Sequence, residues 1–469
     1  MLGCFGCKEM TKNIKVMKKS ASSKLFIQLL CFSSLFAFFI VYHMARPSST
    51  STVHALIVST MRNSTQVNVE NTPMNGPTTT DIIICDRSQY YYDICSINGP
   101  AVFDPAQSTF FVKGPKCNNG PNLTVEKVRP YARKWENFTM SNIKEVTLTK
   151  GPLGPTCDVH HVIPALVFSA GGYTGNFFHD FNDGFIPLFI TVNSVFPNQD
   201  FVLVISQLQD WWVVKYKGLL RNFSKYAIVD FDKEIITHCF PRVTVGLMSH
   251  GFMTIDPKLI PTSKTILDFH TFLATTYGNT GTPPDDTITK PRLVLTSRSG
   301  SLGRVILNQY EVKILAEKIG FEVIMFEPHT NTSLAKSFGL INSSHAMLGV
   351  HGAALTHAMF LRPGSVFIQI VPIGADGVSE LCFGKLAKNL ELEYEEYKIE
   401  MHESSLADKY GKEDSEVLND PLALQARGWS KEIMDIYLRE QNVRLDLKRL
   451  RTYLQRAYHK AKVFMDKNG

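Results

Sequence analysis

Residues 293–315 read LVLTSRSGSLGRVILNQYEVKIL and carry the pattern that decides the fold. An apolar run leads into a Ser/Gly-rich turn, and a helical pattern follows the turn. Small residues let the backbone approach a ligand, and a helix N-terminus favours an anion. Arg298 and Arg304 flank the turn, and guanidinium groups suit bidentate phosphate contacts. The stretch predicts a diphosphate clamp that needs no metal; the alternative is two solvated arginines on a loop.

Motifs of other enzyme classes are missing from this turn. The P-loop pattern GxxxxGK[ST] and the dinucleotide pattern GxGxxG do not occur in it. SGSLG also departs from GxSxG by one residue, which argues against an α/β-hydrolase.

A second stretch, HAMLGVHGAALTHAMFLRPGSVFIQIVP, covers residues 345–372. It predicts a buried strand followed by a small-residue turn, at which His351, Gly352 and Ala353 open a helix. Backbone amides at such a turn can face an anion. His351 is predicted to hydrogen-bond a phosphate or a sugar hydroxyl, although a lone histidine is usually structural. His357, inside the helix, is predicted to be a packing residue.

Strand and helix patterns alternate from residue 150 to residue 400, which predicts an α/β protein with parallel, doubly wound sheets. A Gly/Pro/Thr/Asp-rich linker places a domain boundary near residue 285, between Rossmann-like halves 81–285 and 286–469. A cleft between the halves is the expected ligand site. Glu327 follows one predicted strand at a position where such halves often hold a ribose. The strand candidates are 161–168, 201–205, 226–229, 243–246, 292–296, 321–326, 345–350 and 365–371.

A third stretch, SAGGYTGNFFHDFNDGF, covers residues 169–185. Glycines predict a turn and polar side chains crowd around and beyond it: Gly171, Gly172, Gly175, Asn176, His179, Asp180 and Asp183. Deprotonating a hydroxyl nucleophile requires a general base, for which Asp180 is the first candidate and His179 the second. The alternative is a helix cap at Asn182 or Asp183 with His179 buried.

Two further pairs of residues have competing interpretations. Asp230 and Asp232 form a DxD pair that could hold Mn or Mg on a diphosphate. Because an arginine pair is available, no metal is expected to be required. Trp211 and Trp212 could stack on sugar rings, or could belong to the core and the wall of a groove.

The C-terminal part carries two patterns without an assigned chemistry. Residues 402–421 are polar and acidic and predict a mobile or functional loop. Residues 429–464 predict one long amphipathic helix, either a solvated helix packed across both halves or a contact for an anionic polymer.

The N-terminus predicts a membrane anchor. Residues 25–45 are uncharged and mostly apolar, and 21 helical residues span about 30 Å. The preceding tail, 1–24, has six lysines and one acid, which predicts a cytoplasmic tail and a lumenal head. Residues 46–80 are rich in Ser and Thr and predict a disordered stem. A cleaved signal peptide is the alternative to a retained anchor.

Cysteines and glycosylation sequons agree with a lumenal head. Cys85 and Cys95 are the expected local disulfide among the six cysteines of the head. The head contains no CxxC motif, so a zinc site is not expected. N-glycosylation sequons occur at Asn63, Asn122, Asn137, Asn222, Asn331 and Asn342.

The composition excludes several classes of protein. With 44% hydrophobic and 20% charged residues, the 469-residue chain is not disordered, collagenous or polytopic. The lysine-rich tail supplies five of the six net positive charges, so the rest is nearly neutral and a nucleic-acid partner is not indicated.

The motifs resemble plant glycosyltransferase family 61, in its clade of xylan arabinosyltransferases and xylosyltransferases. The resemblance rests on GGYTGNFFHDFNDGFIPLFIT, DWWVVKY, IVDFDKEIITHCF, HGFMTID and the two stretches around Arg298 and His351. It implies a GT-B fold, inverting transfer from a UDP-sugar, no obligatory metal and a Golgi location. It also implies donor-binding and acceptor-side residues. The donor-binding residues are Arg298, Arg304, Asn308, Glu327, His351, Gly352 and Ala353, and the acceptor side comprises Gly172, Gly175, Asn176, Asp183 and Trp211.

The expected protein is therefore a single-pass type II Golgi enzyme that moves a pentose from a UDP-pentose donor to xylan. Arabinofuranosyl transfer is the first expectation and β-1,2-xylosyl transfer the second; transfer to N-glycans or proteins is a weaker one. A non-catalytic xylan-binding or scaffold member of a Golgi synthase complex is the alternative from another class. The sequence does not indicate an oligomeric state.

Overall fold

The computed structural model describes residues 82–113, 124–151, 154–278, 289–298, 303–411, 415–428 and 430–468, which belong to one compact unit. The predicted tail, anchor and stem lie outside these residues, as does the predicted domain boundary near residue 285. None of the helices in the described ranges combines the length and the apolar composition that a membrane crossing requires.

The described residues form a mixed α/β fold with three sheets. The strand orders are β1-β2-β12-β8-β9-β10 in the first sheet, β5-β6-β4-β3-β11-β7 in the second and β14-β13-β15-β16-β17 in the third. In chain order the strands are β1 (Ile83–Asp86), β2 (Ile94–Ile97), β3 (Ala101–Asp104), β4 (Thr109–Val112), β5 (Thr124–Val128), β6 (Val146–Lys150), β7 (Val159–His160), β8 (Ala165–Ser169), β9 (Val202–Ser206), β10 (Val229–Asp230), β11 (His238–Phe240), β12 (Val243–Val245), β13 (Arg292–Thr296), β14 (Glu322–Phe326), β15 (Ala346–Val350), β16 (Val366–Val371) and β17 (Glu393–Lys398).

Helices connect and cover the sheets. Two of them, α2 and α7, contain a π-helical turn in the middle, and a 3-10 helix covers Ala353–Phe360. The helices are α1 (Asn137–Ser141), α2 (Phe177–His179, Asp180–Phe185 and Ile186–Val195), α3 (Asp210–Phe223), α4 (Ile266–Tyr277), α5 (Gln309–Ile319), α6 (Leu334–Asn342), α7 (Asp376–Ser379, Glu380–Gly384 and Lys385–Asn389), α8 (Leu406–Tyr410), α9 (Glu416–Asn419), α10 (Pro421–Ala426), α11 (Lys431–Asp435 and Ile436–Glu440) and α12 (Leu447–Asn468).

The third sheet is parallel throughout, as the sequence predicts. Its interior strands β13, β15 and β16 are almost entirely buried, which is typical of parallel strands covered on both faces. The predicted strand 292–296 is confirmed without a shift. The carboxyl ends of β13, β14 and β15 therefore lie side by side and bring three loops to one edge.

The first sheet departs from the prediction of a purely parallel arrangement. β12, β8, β9 and β10 are parallel, but β1 and β2 add an antiparallel hairpin. The predicted disulfide Cys85–Cys95 is confirmed, and it joins residues that face each other across this hairpin. A local crosslink stabilises a short hairpin that is marginal by itself.

The second sheet is absent from the sequence-based prediction, because several of its strands have only two to four residues. Stacked aromatic rings form its core: the Phe103 ring centre lies 4.8 Å from that of Phe110 and 4.7 Å from that of Phe231. A second disulfide, Cys157–Cys239, lies at one end of this sheet, and Cys382 is a free thiol.

The prediction of a loop over 402–421 is wrong for the described residues of that range. They contain α8 and α9, and Leu406, Leu418 and Tyr437 bury their side chains in one small hydrophobic cluster. The polar composition of the stretch hides these few apolar residues, which are enough to order short helices against α11.

The prediction of a single helix over 429–464 is also wrong. α11 and α12 are separated by an extended segment, whose Val443 N–H donates to the Val305 carbonyl at 2.9 Å. The Leu307 N–H in turn donates to the Val443 carbonyl at 2.7 Å. These backbone hydrogen bonds hold the residues just after Arg304 against the extended segment. α12 itself packs its apolar face on the core of the third sheet.

Candidate functional site

Two adjoining cavities lie at the carboxyl ends of the third-sheet strands. The small cavity, of about 330 Å³, is bordered by the residues after β13 and β14, the start of α2 and the 3-10 helix. The large cavity, of about 960 Å³, is bordered by α3, the end of α4 and the start of α6. Both are lined by Gly175, Lys215, Thr330, Thr332 and Leu334, so they form one continuous site.

The two predicted arginines converge on the turn after β15. A Cβ atom built on Gly352 would lie 2.8 Å from Arg298 Nη2 and 3.2 Å from Arg304 Nη1. Arg304 Nη1 also donates to the His351 carbonyl at 3.0 Å. Gly352 has a φ of +154°, so both the backbone conformation and the close guanidinium groups favour glycine here. The structure therefore brings together Arg298, Arg304, His351 and Gly352, as the sequence predicts, and of these four it is Arg298 that lines the small cavity.

The guanidinium groups lack negative partners in the described part of the chain. Neither Arg298 nor Arg304 forms an ion pair there, and the buried Nε of Arg304 has no hydrogen-bond partner. Burial lowers the pKa of Arg298. Burial, followed by the charges of Arg298 and Arg439, lowers the pKa of Arg304 to about 9. A desolvated pair of like charges is costly by itself and is stabilised by an anion.

His351 is buried beside the arginines and is neutral. Burial, with the charges of Arg304 and Arg298, lowers its pKa to about 3. Its Nδ1 lies 3.0 Å from Gln369 Nε2, and Gln369 Oε1 accepts a 2.6 Å hydrogen bond from the Tyr394 hydroxyl. A neutral imidazole avoids adding a third positive charge at this point.

The 3-10 helix contributes a wall of the small cavity. Ala353, Ala354 and His357 line it, and the ring of Phe177 stacks on that of His357 at 4.1 Å. The His357 Nδ1–H donates to the Ala354 carbonyl at 2.9 Å, and burial lowers the His357 pKa to about 3. His357 packs as predicted, and it also lines the cavity, which the sequence does not indicate.

Glu327 and Asn308 have different positions, although both are predicted donor contacts. Glu327 lines the small cavity just after β14. Asn308 is buried, and its side chain forms two hydrogen bonds of 2.9 and 3.0 Å with the backbone of Leu445. Asn308 lines neither cavity, so its geometry indicates a structural role in fastening the extended segment before α12.

The glycine turn before α2 borders the same small cavity as Arg298. Gly175 lines both cavities, and Asn176 lines the small one and caps α2 by accepting from the Phe178 N–H at 3.1 Å. Gly172 has a φ of +62° and lies against the ring of Tyr131, where a side chain would not fit. The predicted turn is thus present, with Gly175 and Asn176 at the cavities.

Asp180 is buried and its carboxylate is fully engaged. It accepts hydrogen bonds from the Tyr216 hydroxyl at 2.7 Å, the Gly175 N–H at 3.0 Å and Trp212 Nε1 at 3.1 Å. Burial raises its pKa, and the three hydrogen bonds oppose that shift. Asp180 lines neither cavity. These hydrogen bonds join the glycine turn to α3. They engage the carboxylate oxygens that a general base needs, so the geometry favours a structural role over the predicted role as the base.

His179 retains a nitrogen that can act as a base. Its Nδ1 lies 2.8 Å from Asp183 Oδ2, and its side chain is 18% exposed. Burial would raise the pKa of Asp183, but its hydrogen bond with His179 and the charges of His179 and Arg133 together hold that pKa below its usual value. An ionised Asp183 keeps the proton on Nδ1 and leaves Nε2 as an acceptor. His179 is not among the residues that line the two cavities.

Helix α3 presents one face to the large cavity and the other to the core. Trp211, Val214, Lys215 and Gly218 line the large cavity, whereas Trp212, Tyr216 and Leu219 are buried. Trp211, 46% exposed, is thus a groove wall and Trp212 a core residue. Lys215 was not predicted from the sequence, although it lies four residues after Trp211 and therefore on the same face of α3.

The two acids of the DxD pair lie outside both cavities. Asp230 accepts from the backbone N–H groups of Asp232 and Lys233, and Asp232 pairs with Lys144. Within the described ranges, the one group of three potential metal ligands is Cys157, His160 and Cys239, and its two cysteines are joined in a disulfide.

The sequons differ in their surroundings. Asn137 and Asn222 are exposed, Asn331 is exposed and lines the large cavity, and Asn342 donates to the Phe360 carbonyl at 3.1 Å. Asn63 and Asn122 lie outside the described residues.

Comparisons with known proteins identify the class. A family model described as Glycosyltransferase 61 matches residues 177–368, a range that includes the turns after β13 and β15 and helix α3. The chain is 39% identical over 399 residues to xylan glycosyltransferase MUCI21 of Arabidopsis thaliana, covering 81% of this chain and 80% of that protein. Against rice (Oryza sativa subsp. japonica), it is 35% identical to alpha-1,3-arabinosyltransferase XAT3, covering 80% of this chain and 64% of that one. It is also 35% identical to the rice beta-1,2-xylosyltransferase XYXT1, covering 80% and 83%.

The protein is therefore a glycosyltransferase. More narrowly, the chain belongs to glycosyltransferase family 61, which confirms the resemblance inferred from the motifs.

Proposed function

We propose that the protein transfers a pentose from a UDP-sugar to the xylan backbone, with arabinofuranose as the preferred sugar. The relatives named above act on xylan or transfer arabinose or xylose, according to their names. The rice arabinosyltransferase and the rice xylosyltransferase are equally similar to this chain, at 35% identity, so xylosyl transfer is the second candidate.

One observation carries the proposal: Arg298 and Arg304 are desolvated, close together and without negative partners in the described part of the chain. A sugar diphosphate supplies the missing negative charge. In the transfer step, the acceptor oxygen bonds to the anomeric carbon while the bond from that carbon to the phosphate oxygen breaks. The departing UDP gains negative charge, which guanidinium groups stabilise without a metal.

The arrangement that we propose is GT-B-like, with two Rossmann-like halves facing the cavities. The third sheet and its loops hold the nucleotide in the small cavity, where Glu327 is positioned for the ribose. The residues of α3 hold the acceptor in the large cavity, where Trp211 offers an apolar ring to a sugar. Transfer is inverting, so a single base has to face the acceptor hydroxyl.

Of the two candidate bases, His179 is supported better by the geometry than Asp180 is. Its Nδ1 is held by Asp183, whereas the oxygens of Asp180 already accept three hydrogen bonds. In this proposal His179 takes the proton of the acceptor hydroxyl through Nε2. Asp180 fixes the position of the glycine turn, which immediately precedes the helix that contains His179.

We further propose that the protein is a single-pass type II Golgi membrane protein with a lumenal head. The lysine-rich tail followed by the apolar run 25–45 supports this orientation. The disulfide Cys85–Cys95 fits an oxidising lumen.

The test is an assay of the full-length chain with xylo-oligosaccharides and separate UDP-arabinofuranose, UDP-xylose and UDP-N-acetylglucosamine donors. We expect UDP release and a pentosylated product with one pentose donor, and unchanged turnover in EDTA. Loss of turnover in EDTA would restore the metal hypothesis for Asp230 and Asp232. Saccharide binding without turnover on any donor would favour the non-catalytic scaffold.

A further inference from the structure

Lys215 lies where the two cavities meet. It lines both of them, together with Gly175 and Thr330. It belongs to the face of α3 that also carries Trp211 and Val214 into the large cavity. The small cavity is also lined by Arg298, from the turn after β13, so Lys215 and Arg298 belong to different elements that border one space.

The ammonium group of Lys215 has no ion-pair partner in the described part of the chain. Of the acids, Asp180 is the one whose charge acts on it, and the Asp180 oxygens already accept from Gly175, Trp212 and Tyr216. Burial lowers the pKa of Lys215, and the charge of Asp180 partly opposes that shift. A partly buried cation without its own carboxylate is most stable next to an external anion.

Aromatic rings hold the ammonium at this place. Lys215 Nζ lies 5.3 Å from the ring centre of Phe177 and 5.4 Å from that of Tyr216. Phe177 in turn stacks on His357 in the wall of the small cavity. The two rings fix the position of the cation, and an ammonium has three N–H groups, so those that do not face a ring can donate to a ligand.

We propose that Lys215 is a catalytic residue that contacts the sugar-bearing phosphate of the donor from the acceptor side. This inference rests on the proposed function, because it requires a sugar diphosphate in the small cavity. Arg298 and Arg304 hold the diphosphate from the third sheet, and Lys215 closes the site from α3. When the bond between the anomeric carbon and the phosphate oxygen breaks, its electron pair goes to that oxygen. The Lys215 ammonium stabilises the resulting charge on UDP.

A purely structural role for Lys215 predicts different behaviour. If its cation–π contacts with Phe177 and Tyr216 were its only function, its removal would loosen the cavity wall for every ligand. A phosphate contact instead affects ligands with a diphosphate and spares a nucleoside. UDP and uridine therefore separate the two roles.

The experiment compares Lys215→Met, Lys215→Arg and Lys217→Met in the full-length chain. Lys217 is exposed on the same helix and does not line either cavity, so its variant is the matched control. We expect Lys215→Met to weaken UDP binding about tenfold and to reduce kcat about tenfold to hundredfold. Uridine affinity should stay unchanged, Lys215→Arg should recover part of the loss, and Lys217→Met should behave as wild type.

Three outcomes would overturn the inference. The first is that Lys215→Met has the same UDP affinity and the same kcat as Lys217→Met. Another is an equal loss for UDP and uridine, which would indicate a structural role. The third is a wild-type chain that does not bind UDP, which removes the proposed function as well. If the wild type binds UDP but turns over no pentose donor, only the proposed activity fails, and the UDP comparison still decides the role of Lys215.

Discussion

The two turns that face the small cavity differ in how their charges are satisfied. At the turn after β13, Arg298 and Arg304 are positively charged, half-buried and without negative partners among the described residues. In α2, which follows the glycine turn, Asp180 and Asp183 are buried, and each accepts hydrogen bonds from several protein donors. A charge without a protein partner is available for a ligand, whereas a satisfied charge organises the fold.

This difference assigns separate tasks to the two turns. In the proposed function, the arginine turn stabilises the charge of a diphosphate, and the two carboxylates of α2 position their neighbours, among them His179. The following predictions test that division by removing charges from one turn or the other.

The largest effect is expected at the arginine turn. The double variant Arg298→Ala/Arg304→Ala should lose at least about 1000-fold in kcat/KM, because both groups meet charge that develops on the leaving group. Arg451→Gln is the control, since Arg451 is exposed on α12 and lines neither cavity. Steady-state kinetics with the pentose donor gives the ratio. Equal kcat/KM in the double variant and in the control would break the assignment.

Substitutions of two adjacent residues in α2, His179 and Asp180, should have different effects on kcat. His179→Ala should reduce kcat about hundredfold, because a general base is lost. Asp180→Asn keeps the shape of the side chain and should reduce kcat by less than about tenfold, while lowering the melting temperature. Measurement of kcat and Tm for both variants tests this. A greater loss of kcat in Asp180→Asn than in His179→Ala would restore Asp180 as the base.

The buried histidines of the C-terminal side should make stability depend on pH. His351 and His357 have a pKa of about 3 in the fold, against an ordinary value of 6.5. Between these values the unfolded chain binds protons that the folded chain does not, so stability falls as the pH falls. The expected slope is about 1.4 kcal/mol per pH unit for each histidine.

The matched variant for this prediction is His351→Gln, which removes one of the two titrating groups. Urea unfolding between pH 6.5 and pH 4.5 should then show a flatter decline in the free energy of unfolding than the wild type does. An identical slope in both proteins would mean that His351 is not held neutral by burial.

The smallest effect is expected at the wall of the large cavity. Trp211→Ala should raise the KM for xylo-oligosaccharides about threefold to tenfold with little change in the KM for the donor, because one stacking surface is removed. Phe138→Ala removes an exposed ring outside both cavities and serves as the control. An increase in the donor KM alone would place the acceptor elsewhere.

Local patterns in the sequence were sufficient to predict the arginine turn and four of the five strands of the third sheet, while β17 was not predicted. The strand 292–296 is one continuous apolar run, and Arg298, His351 and Gly352 directly follow buried strands. Parallel strands place their carboxyl ends at one edge, so the convergence of these residues follows from the strand pattern alone.

Contacts between distant parts of the chain account for what the sequence did not reveal. The roles of Asp180 and Asn308 depend on partners 36 and 137 residues away, Tyr216 and Leu445. The extended break before α12 likewise depends on backbone pairing between Val443 and Val305, which no periodicity indicates. The place of Lys215 in the site likewise depends on distant parts of the chain, because α3 and the loop at Thr330 border the same cavity.

The most direct test of the central claim is the affinity of the wild-type chain for UDP and for uridine in the presence of EDTA, measured by calorimetry. A pair of desolvated arginines that neutralises the diphosphate predicts UDP binding at least about 100-fold tighter than uridine without any metal. Equal affinities for the two ligands, or loss of UDP binding on chelation, would contradict the account.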